Sequence, residues 1–176
     1  MNRECLATQC RLCGESVSDH CERVGDLTRK LAQPLGEPRR TFAACGGYLH
    51  DILEDAVDWN APTAGLALRW RIEETFGGEV LRITEAVTVD QRLSPEDQFA
   101  LMVERARSKF QIPELLVKLA DIFDNWQTRH VYSVTYRTLW ERFAHQMVDE
   151  VIPERLRQCH WEGPVPVLGL EPVLIG

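Results

Sequence analysis

The sequence has no long hydrophobic run. No apolar stretch approaches the roughly 20 residues that a membrane-spanning helix needs, so a soluble protein is expected. The start of the chain also lacks a basic segment followed by an apolar one, which argues against a secretory signal. An excess of positive charge is missing too. Lys and Arg number 20 against 27 Asp and Glu, a formal net charge of −7. A nucleic-acid binder needs Lys/Arg excess against the phosphate backbone, so no nucleic-acid partner is expected. There is no G-x-x-x-x-G-K-[ST] phosphate loop, no internal repeat and no low-complexity linker. Cys10-x-x-Cys13 has Cys5 and Cys21 nearby, but the second pair that would complete a four-ligand structural zinc site is absent. The six cysteines therefore read as reduced thiols in a cytoplasmic setting.

What remains is a chain of 176 residues, long enough for one domain with a real core, in which nearly every segment has helical character. Cys21, Val24, Leu27 and Leu31 recur at helical spacing behind a cap at Ser18 or Asp19, ending near Pro34. A breaker-rich turn at 35–40 leads to a helix over about 41–55. Its Gly46-Gly47 pair costs about 1 kcal/mol per Gly in propensity, which a close-packed neighbouring backbone would justify. Helices over 63–76 and 79–87 are separated by Gly77-Gly78. Ser94-Pro95-Glu96-Asp97 is a strong helix start. The helix over 113–129 carries Leu115, Leu116, Leu119, Ile122, Phe123 and Trp126 as an apolar stripe. A further helix spans 135–150, and a short basic turn follows Pro153.

Three stretches carry chemistry. Tyr48-Leu49-His50-Asp51-Ile52-Leu53-Glu54-Asp55 places one imidazole and three carboxylates in six consecutive residues. On a helix, His50 and Glu54 lie one turn apart, as do Asp51 and Asp55. An adjacent His and Asp can ligate one divalent cation, with two acids close by for proton transfer. Taken alone, this is equally the solvated acidic end of a helix. On the 113–129 helix, Asp121, Asn125 and Thr128 follow i, i+4, i+7 spacing beside Lys118, away from the apolar stripe. That row is either a solvated face or an acid, an amide and a hydroxyl in line along one site. The third stretch, Arg11 to His20, ends in a histidine at a helix start.

Together these stretches resemble the HD superfamily of metal-dependent phosphohydrolases. The order His20, His50-Asp51, Asp121 matches its H…HD…D signature. One branch, the RelA/SpoT-type (p)ppGpp hydrolase domain, is closer still. Arg11-x-x-Gly14-Glu15 with His20 resembles R-x-S-G-E-P-Y-x-x-H, and residues 49–55 resemble L-H-D-V-V-E-D-T. Phe76-Gly77-Gly78-Glu79-Val80, with Ile83, Val87 and Thr88, is similar to F-G-x-E-V-x-x-I-V-x-x-V-T. Lys118-Leu119-Ala120-Asp121, with Asn125 and Thr128, is similar to K-L-A-D-R-x-x-N-x-x-T. The likeness covers about residues 11–128.

The resemblance implies an all-α, single-domain HD-type helical bundle over 1–160; the apolar residues after it, punctuated by Pro164, Pro166 and Pro172, read as an extended tail at 161–176. It implies a single divalent ion, usually Mn²⁺ in this branch, held by His20, His50, Asp51 and Asp121. Glu54 and Asp55 would be the catalytic acids. Arg11, Lys118, Asn125 and Thr128 would bind the substrate, Arg11 at the purine and Asn125 and Thr128 near the ribose. A mixed nitrogen and oxygen donor set suits Mn²⁺, Fe²⁺ or Zn²⁺ on general grounds. The synthetase and regulatory regions of the long members have no counterpart, so a small stand-alone hydrolase is expected, removing the 3′-pyrophosphate of (p)ppGpp.

Departures cluster at substrate positions. Leu12 stands where the branch has a base, and Ser16 and Val17 replace Pro-Tyr. Ile122 replaces the Arg after the metal-binding Asp, Ala56 replaces a Thr, and His20 is not followed by Pro. The interval from His20 to His50 is also longer than the branch's, with the turn at 35–40 available to absorb it. Two rival readings follow. One is an HD hydrolase of another small nucleotide: a nucleoside monophosphate, dNTP, NADPH or cyclic nucleotide. The other is a nucleotide sensor that keeps the fold without catalysis, against which the retained Glu54 and Asp55 weigh. No membrane partner is expected, and the sequence does not specify an oligomeric state.

Overall fold

Ser16 begins the first helix. In the computed structural model, which describes residues 10–12, 14–57, 63 and 65–163, its hydroxyl accepts from the Ser18 backbone N–H at 3.1 Å. Helix α1 (Val17–Leu31) thus starts before the Ser18 and Asp19 caps expected from sequence, and His20 falls in its first turn. Cys13 and most of the apolar tail, 164–176, lie outside the described residues. Among the described residues there is no strand. A lone antiparallel bridge between Cys10 and Ser16 folds the segment carrying Arg11 back onto the start of α1.

After a 3₁₀ turn (Gln33–Leu35), α2 (Arg39–Leu49) stops short of the continuous 41–55 helix that periodicity suggests. The chain breaks at His50 and Asp51 and resumes as one turn, α3 (Ile52–Asp55). The break has a local cause: the His50 Nδ1–H donates to the Gly47 carbonyl at 2.8 Å, a side-chain bond that competes with the helical ladder.

Helix α4 (Leu66–Phe76) and α5 (Gly78–Val87) meet at Gly77, whose φ of +87° is a conformation that glycine adopts without steric cost. The Ser94 cap starts α6 (Pro95–Ser108) as expected, with Asp97 N–H donating to its hydroxyl at 3.2 Å. Gln111 and Glu114 form a reciprocal capping box at the head of α7 (Ile112–Thr128), and Arg82 of α5 pairs with the buried Glu114. A 3₁₀ turn (Arg129–Val131) leads to α8 (Val134–His145). A π-helical turn (Gln146–Val151) then runs straight into α9 (Ile152–Gln158). The basic turn expected after Pro153 is therefore helix. Pro153 falls at the start of α9, directly after the π-helical turn. Burial of Val151, Ile152 and Leu156 holds this extension against the core.

Helix α7 is the axis of the bundle. Every residue from Pro113 to Ile122 is buried, Lys118 and Asp121 among them, so the row that could have been a solvated face points inward. Helices α1, α2, α5 and α9 pack around it. A stacked Phe99–Phe143 pair, 4.6 Å between centroids, and a Tyr132–Tyr136 edge contact at 5.1 Å tie α6, α8 and the turn between α7 and α8 together.

The glycine pair on α2 is explained by two close approaches. A Cβ on Gly47 would meet the Gly25 Cα of α1 at 3.0 Å and the Thr28 hydroxyl at 2.7 Å. A Cβ on Gly46 would meet Ile83 of α5 at 2.4 Å. Thr28 is buried and bonded to the Val24 carbonyl at 2.8 Å, so it has no cheap escape. Gly47→Ala should therefore destabilise the fold by about 1–3 kcal/mol despite its better helix propensity. Gly78→Ala, whose Cβ meets only Glu73 at 3.6 Å, should be neutral or stabilising. Urea unfolding of both variants checks this; a Gly47→Ala protein as stable as the parent would refute the close-approach account.

Candidate metal centre and its pocket

Three helices deliver the candidate ligands to one point. His20 comes from the first turn of α1, His50 and Asp51 from the break after α2, and Asp121 from the middle of α7. The two Nε2 atoms lie 3.1 Å apart. Asp51 Oδ1 is 3.0 Å from His50 Nε2, and its Oδ2 is 3.4 Å from His20 Nε2. Asp121 Oδ1 lies 3.4 Å from His20 Nε2 and 3.5 Å from His50 Nε2. Donors bonded to one cation at about 2.1 Å are about 3.0 Å apart when adjacent on an octahedron and about 3.4 Å apart on a tetrahedron. The edges among His20, His50 and Asp121 run from 3.1 to 3.5 Å, close to that range, and Asp51 meets the two imidazoles through different oxygens, so three donors with Asp51 beside them fit one first-row divalent cation.

The donors are held from behind. Gly47 carbonyl fixes His50 through Nδ1, leaving Nε2 to face the cluster. Lys118 Nζ donates to Asp121 Oδ2 at 2.8 Å, and Asn125 Nδ2 donates to Oδ1 at 2.6 Å. Buried Cys21 adds its sulfur beside His50 and Asp51.

The electrostatics demand positive charge here. Burial disfavours a protonated His20, yet hydrogen bonds to Asp121, Asp124 and Asp51 outweigh it and push the imidazole up to about 10. His50 is raised in the same way, against its burial, chiefly by Asp51 and Asp121. Asp51 and Asp121 resist burial and stay well below the usual carboxylate range, Asp51 through His50 and His20, Asp121 through Lys118 and both imidazoles. A divalent cation would supply that charge at a single point.

Every other site residue expected from sequence lines the same pocket, a cavity of about 400 Å³: Arg11, Glu54, Asp55, Lys118, Asn125 and Thr128. Burial and the Asp51 charge push Glu54 up to about 8, and its oxygens accept from Val89 N–H at 2.7 Å and Gln91 Nε2 at 2.8 Å. Desolvation in the pocket and the same charge push Asp55 up to about 6. Lys118 is spent on Asp121, and Arg11 hydrogen-bonds Asn125 and pairs with Asp124 at 3.4 Å and Glu15 at 3.5 Å.

Two features escaped the sequence. One is the aromatic wall of Phe99, Tyr132, Tyr136, Trp140 and Phe143, drawn mostly from beyond the matched motifs. The other is Asp124, whose Oδ2 lies 2.7 Å from His20 Nδ1 and whose Oδ1 accepts from Arg23 Nε at 2.6 Å. Its position three residues after Asp121 was the available signal, one helical turn along the same face.

A bound cation stabilises the folded state by about 2.7 kcal/mol at 100 times its Kd, a rise of about 5–10 °C for a chain of this size. Mn²⁺ or Zn²⁺ should produce such a rise, and Asp121→Ala should abolish it. Protons compete for the imidazoles, which lie above their ordinary value, so each fall in pH strengthens the competitor. The cation-induced rise should therefore grow between pH 6 and pH 8. Thermal melts with and without metal test both statements.

Comparison with known proteins gives the family and the fold. The HD domain family model matches residues 17–126. No curated protein sequence matches the chain. Among solved structures, a metazoan orthologue of SpoT, described as hydrolysing ppGpp and playing a role in starvation responses, superposes with a TM-score of 0.66. The two chains are 21% identical and 89% of each is covered, a likeness of fold. With the family model spanning well over half its length and including His20, His50, Asp51 and Asp121, the chain belongs to the HD domain family of metal-dependent hydrolases.

Proposed function

We propose that the chain, over residues 1–160, is a metal-dependent nucleotide phosphohydrolase, and that its substrate is guanosine 3′,5′-bis(diphosphate), from which it removes the 3′-pyrophosphate. One observation carries this reading: the Nε2 atoms of His20 and His50 lie within 3.5 Å of each other and of carboxylate oxygens of Asp51 and Asp121, and Glu54 and Asp55 line the adjoining cavity. The motif likeness to the RelA/SpoT-type hydrolase domain and the fold shared with a ppGpp hydrolase support the substrate. The branch's usual ion makes Mn²⁺ the metal of choice. The free thiols of Cys10, Cys21, Cys45 and Cys159 support a cytoplasmic setting.

A divalent cation in this site would act as a Lewis acid on the phosphoryl oxygens and lower the pKa of a bound water. The chain's own groups do the rest. Glu54, raised toward neutrality, accepts the proton of the attacking water. As the new phosphorus–oxygen bond forms, the bond to the ribose 3′-oxygen breaks, and pyrophosphate leaves. Asp55, which lines the same cavity, protonates the departing oxygen or orients the water. Lys118 and Asn125 hold Asp121 in register, and Arg11 offers a guanidinium face to the base.

A second reading, hydrolysis of a nucleotide with a single phosphoryl end, has its own support. Among the described residues lining the pocket, the Arg and Lys side chains are Arg11 and Lys118, and both are already paired with acids. Leu12, at 80% exposure, stands where the RelA/SpoT-type branch has a basic residue.

Product release from (p)ppGpp, dNTPs, NADPH and nucleoside monophosphates separates the two. Turnover of (p)ppGpp is expected to dominate; turnover of the others without it would overturn the substrate. Asp51→Ala should be inactive, and unchanged turnover would overturn the mechanism. Glu54→Gln should lower kcat about 10²–10⁴-fold. It should also remove a limb of the profile that rises with pH as the carboxyl ionises. In the parent that limb has its midpoint at or below about 8, since a nearby cation favours the carboxylate.

A further inference from the structure

Asp124 touches both halves of the site. Its Oδ2 lies 2.7 Å from His20 Nδ1. A carboxylate can only accept, so Nδ1 carries a hydrogen, and in the neutral imidazole that binds a cation the lone pair is therefore on Nε2, toward His50, Asp51 and Asp121. The same Oδ2 is 3.4 Å from an Arg11 guanidinium nitrogen. Arg11 donates with its other terminal nitrogen to Asn125 Oδ1, and Asn125 Nδ2 donates at 2.6 Å to Asp121 Oδ1. A ring of side chains closes: His20, Asp124, Arg11, Asn125, Asp121, and back to His20 at 3.4 Å.

The carboxylate is itself fixed. Arg23 grips it with two bonds, Nε to Oδ1 at 2.6 Å and a terminal nitrogen to Oδ2 at 2.8 Å. Its second terminal nitrogen and the first reach Glu15 at 2.5 and 2.7 Å. This is a two-pronged guanidinium–carboxylate geometry, which specifies orientation as well as charge.

We propose that Asp124 is the positioning residue of the metal centre: its carboxylate locks His20 with Nε2 toward the cation and, through Arg11, holds the pocket wall to the same frame. The proposal rests on the reading of His20 as a metal ligand. Partners at the far nitrogen of a ligating histidine set its tautomer and ring orientation, and their removal costs about 10–100-fold in metal affinity. Arg11 placed this way faces the pocket rather than bulk water, so removing Asp124 loosens both metal and substrate.

The test uses Zn²⁺ and the full chain. Calorimetry should show about 10–100-fold weaker Zn²⁺ binding in Asp124→Ala. Asp124→Asn, which keeps an oxygen for the Nδ1–H, should recover most of the loss. A purely structural role would lower the melting temperature of both variants and leave Zn²⁺ affinity within twofold of the parent, which would overturn the proposal. Nitrogen-15 NMR of the imidazoles in the Zn²⁺-loaded parent needs no variant. His20 is expected to be protonated at Nδ1, and protonation at Nε2 instead would overturn the proposal even if Asp124→Ala fails to fold. A parent that binds no Zn²⁺ would remove the metal centre itself; a parent that binds while Asp124→Ala binds equally would remove only the role of Asp124.

Discussion

The crossing of α1 and α2 at Gly25 and Gly47 is the contact on which the site depends. Two helix backbones can approach this closely only where neither carries a Cβ at the crossing point. The approach is what lets an imidazole from the first turn of one helix meet an imidazole from the last turn of the other, with 3.1 Å between their nitrogens. A wider crossing would separate the histidines by more than one cation can bridge. The glycines therefore trade intrinsic helix stability for ligand geometry. The remaining core supports that choice: α7 carries Asp121 buried beside the histidines, and the Arg82–Glu114 pair keeps α5 against it.

The second organising fact is that charged groups are buried together rather than apart. His20, His50, Lys118 and Asp121 are all nearly inaccessible, a costly arrangement if any stood alone. Each instead has a partner of opposite sign or a backbone carbonyl. The consequence is a site built in advance of its ligands, with donors held in place by groups that are themselves held. This is why Glu54 and Asp55 respond differently from ordinary surface acids: they are desolvated in the pocket and also face a carboxylate, Asp51, that the imidazoles keep ionised.

Much of this was legible in the residues. Helical periodicity and caps placed the long helices to within a few positions, and the four motifs named the side chains that do converge in space. What the sequence did not show was non-local. The break at His50 depends on a side-chain bond back to Gly47, and local propensity favours continuing the helix instead. The helix through Pro153 depends on Val151, Ile152 and Leu156 finding the core. Burial of Lys118 and Asp121 follows from α7 being surrounded, which its own amphipathic pattern understates. Asp124 went unremarked because its partners, Arg23 and His20, lie about a hundred residues away along the chain.

The two histidines are oriented by different kinds of partner, and this gives the centre an asymmetry. His50 is aimed by a main-chain carbonyl, which no substitution at Gly47 can remove without moving the helix. His20 is aimed by a side chain, and its frame runs outward through Arg23 and Glu15 toward solvent. One half of the centre is thus hard-wired into the fold, and the other is open to mutation. Variation in metal preference or affinity among close relatives of this chain should enter through α1 and the exposed end of that network, while the His50 side stays constant.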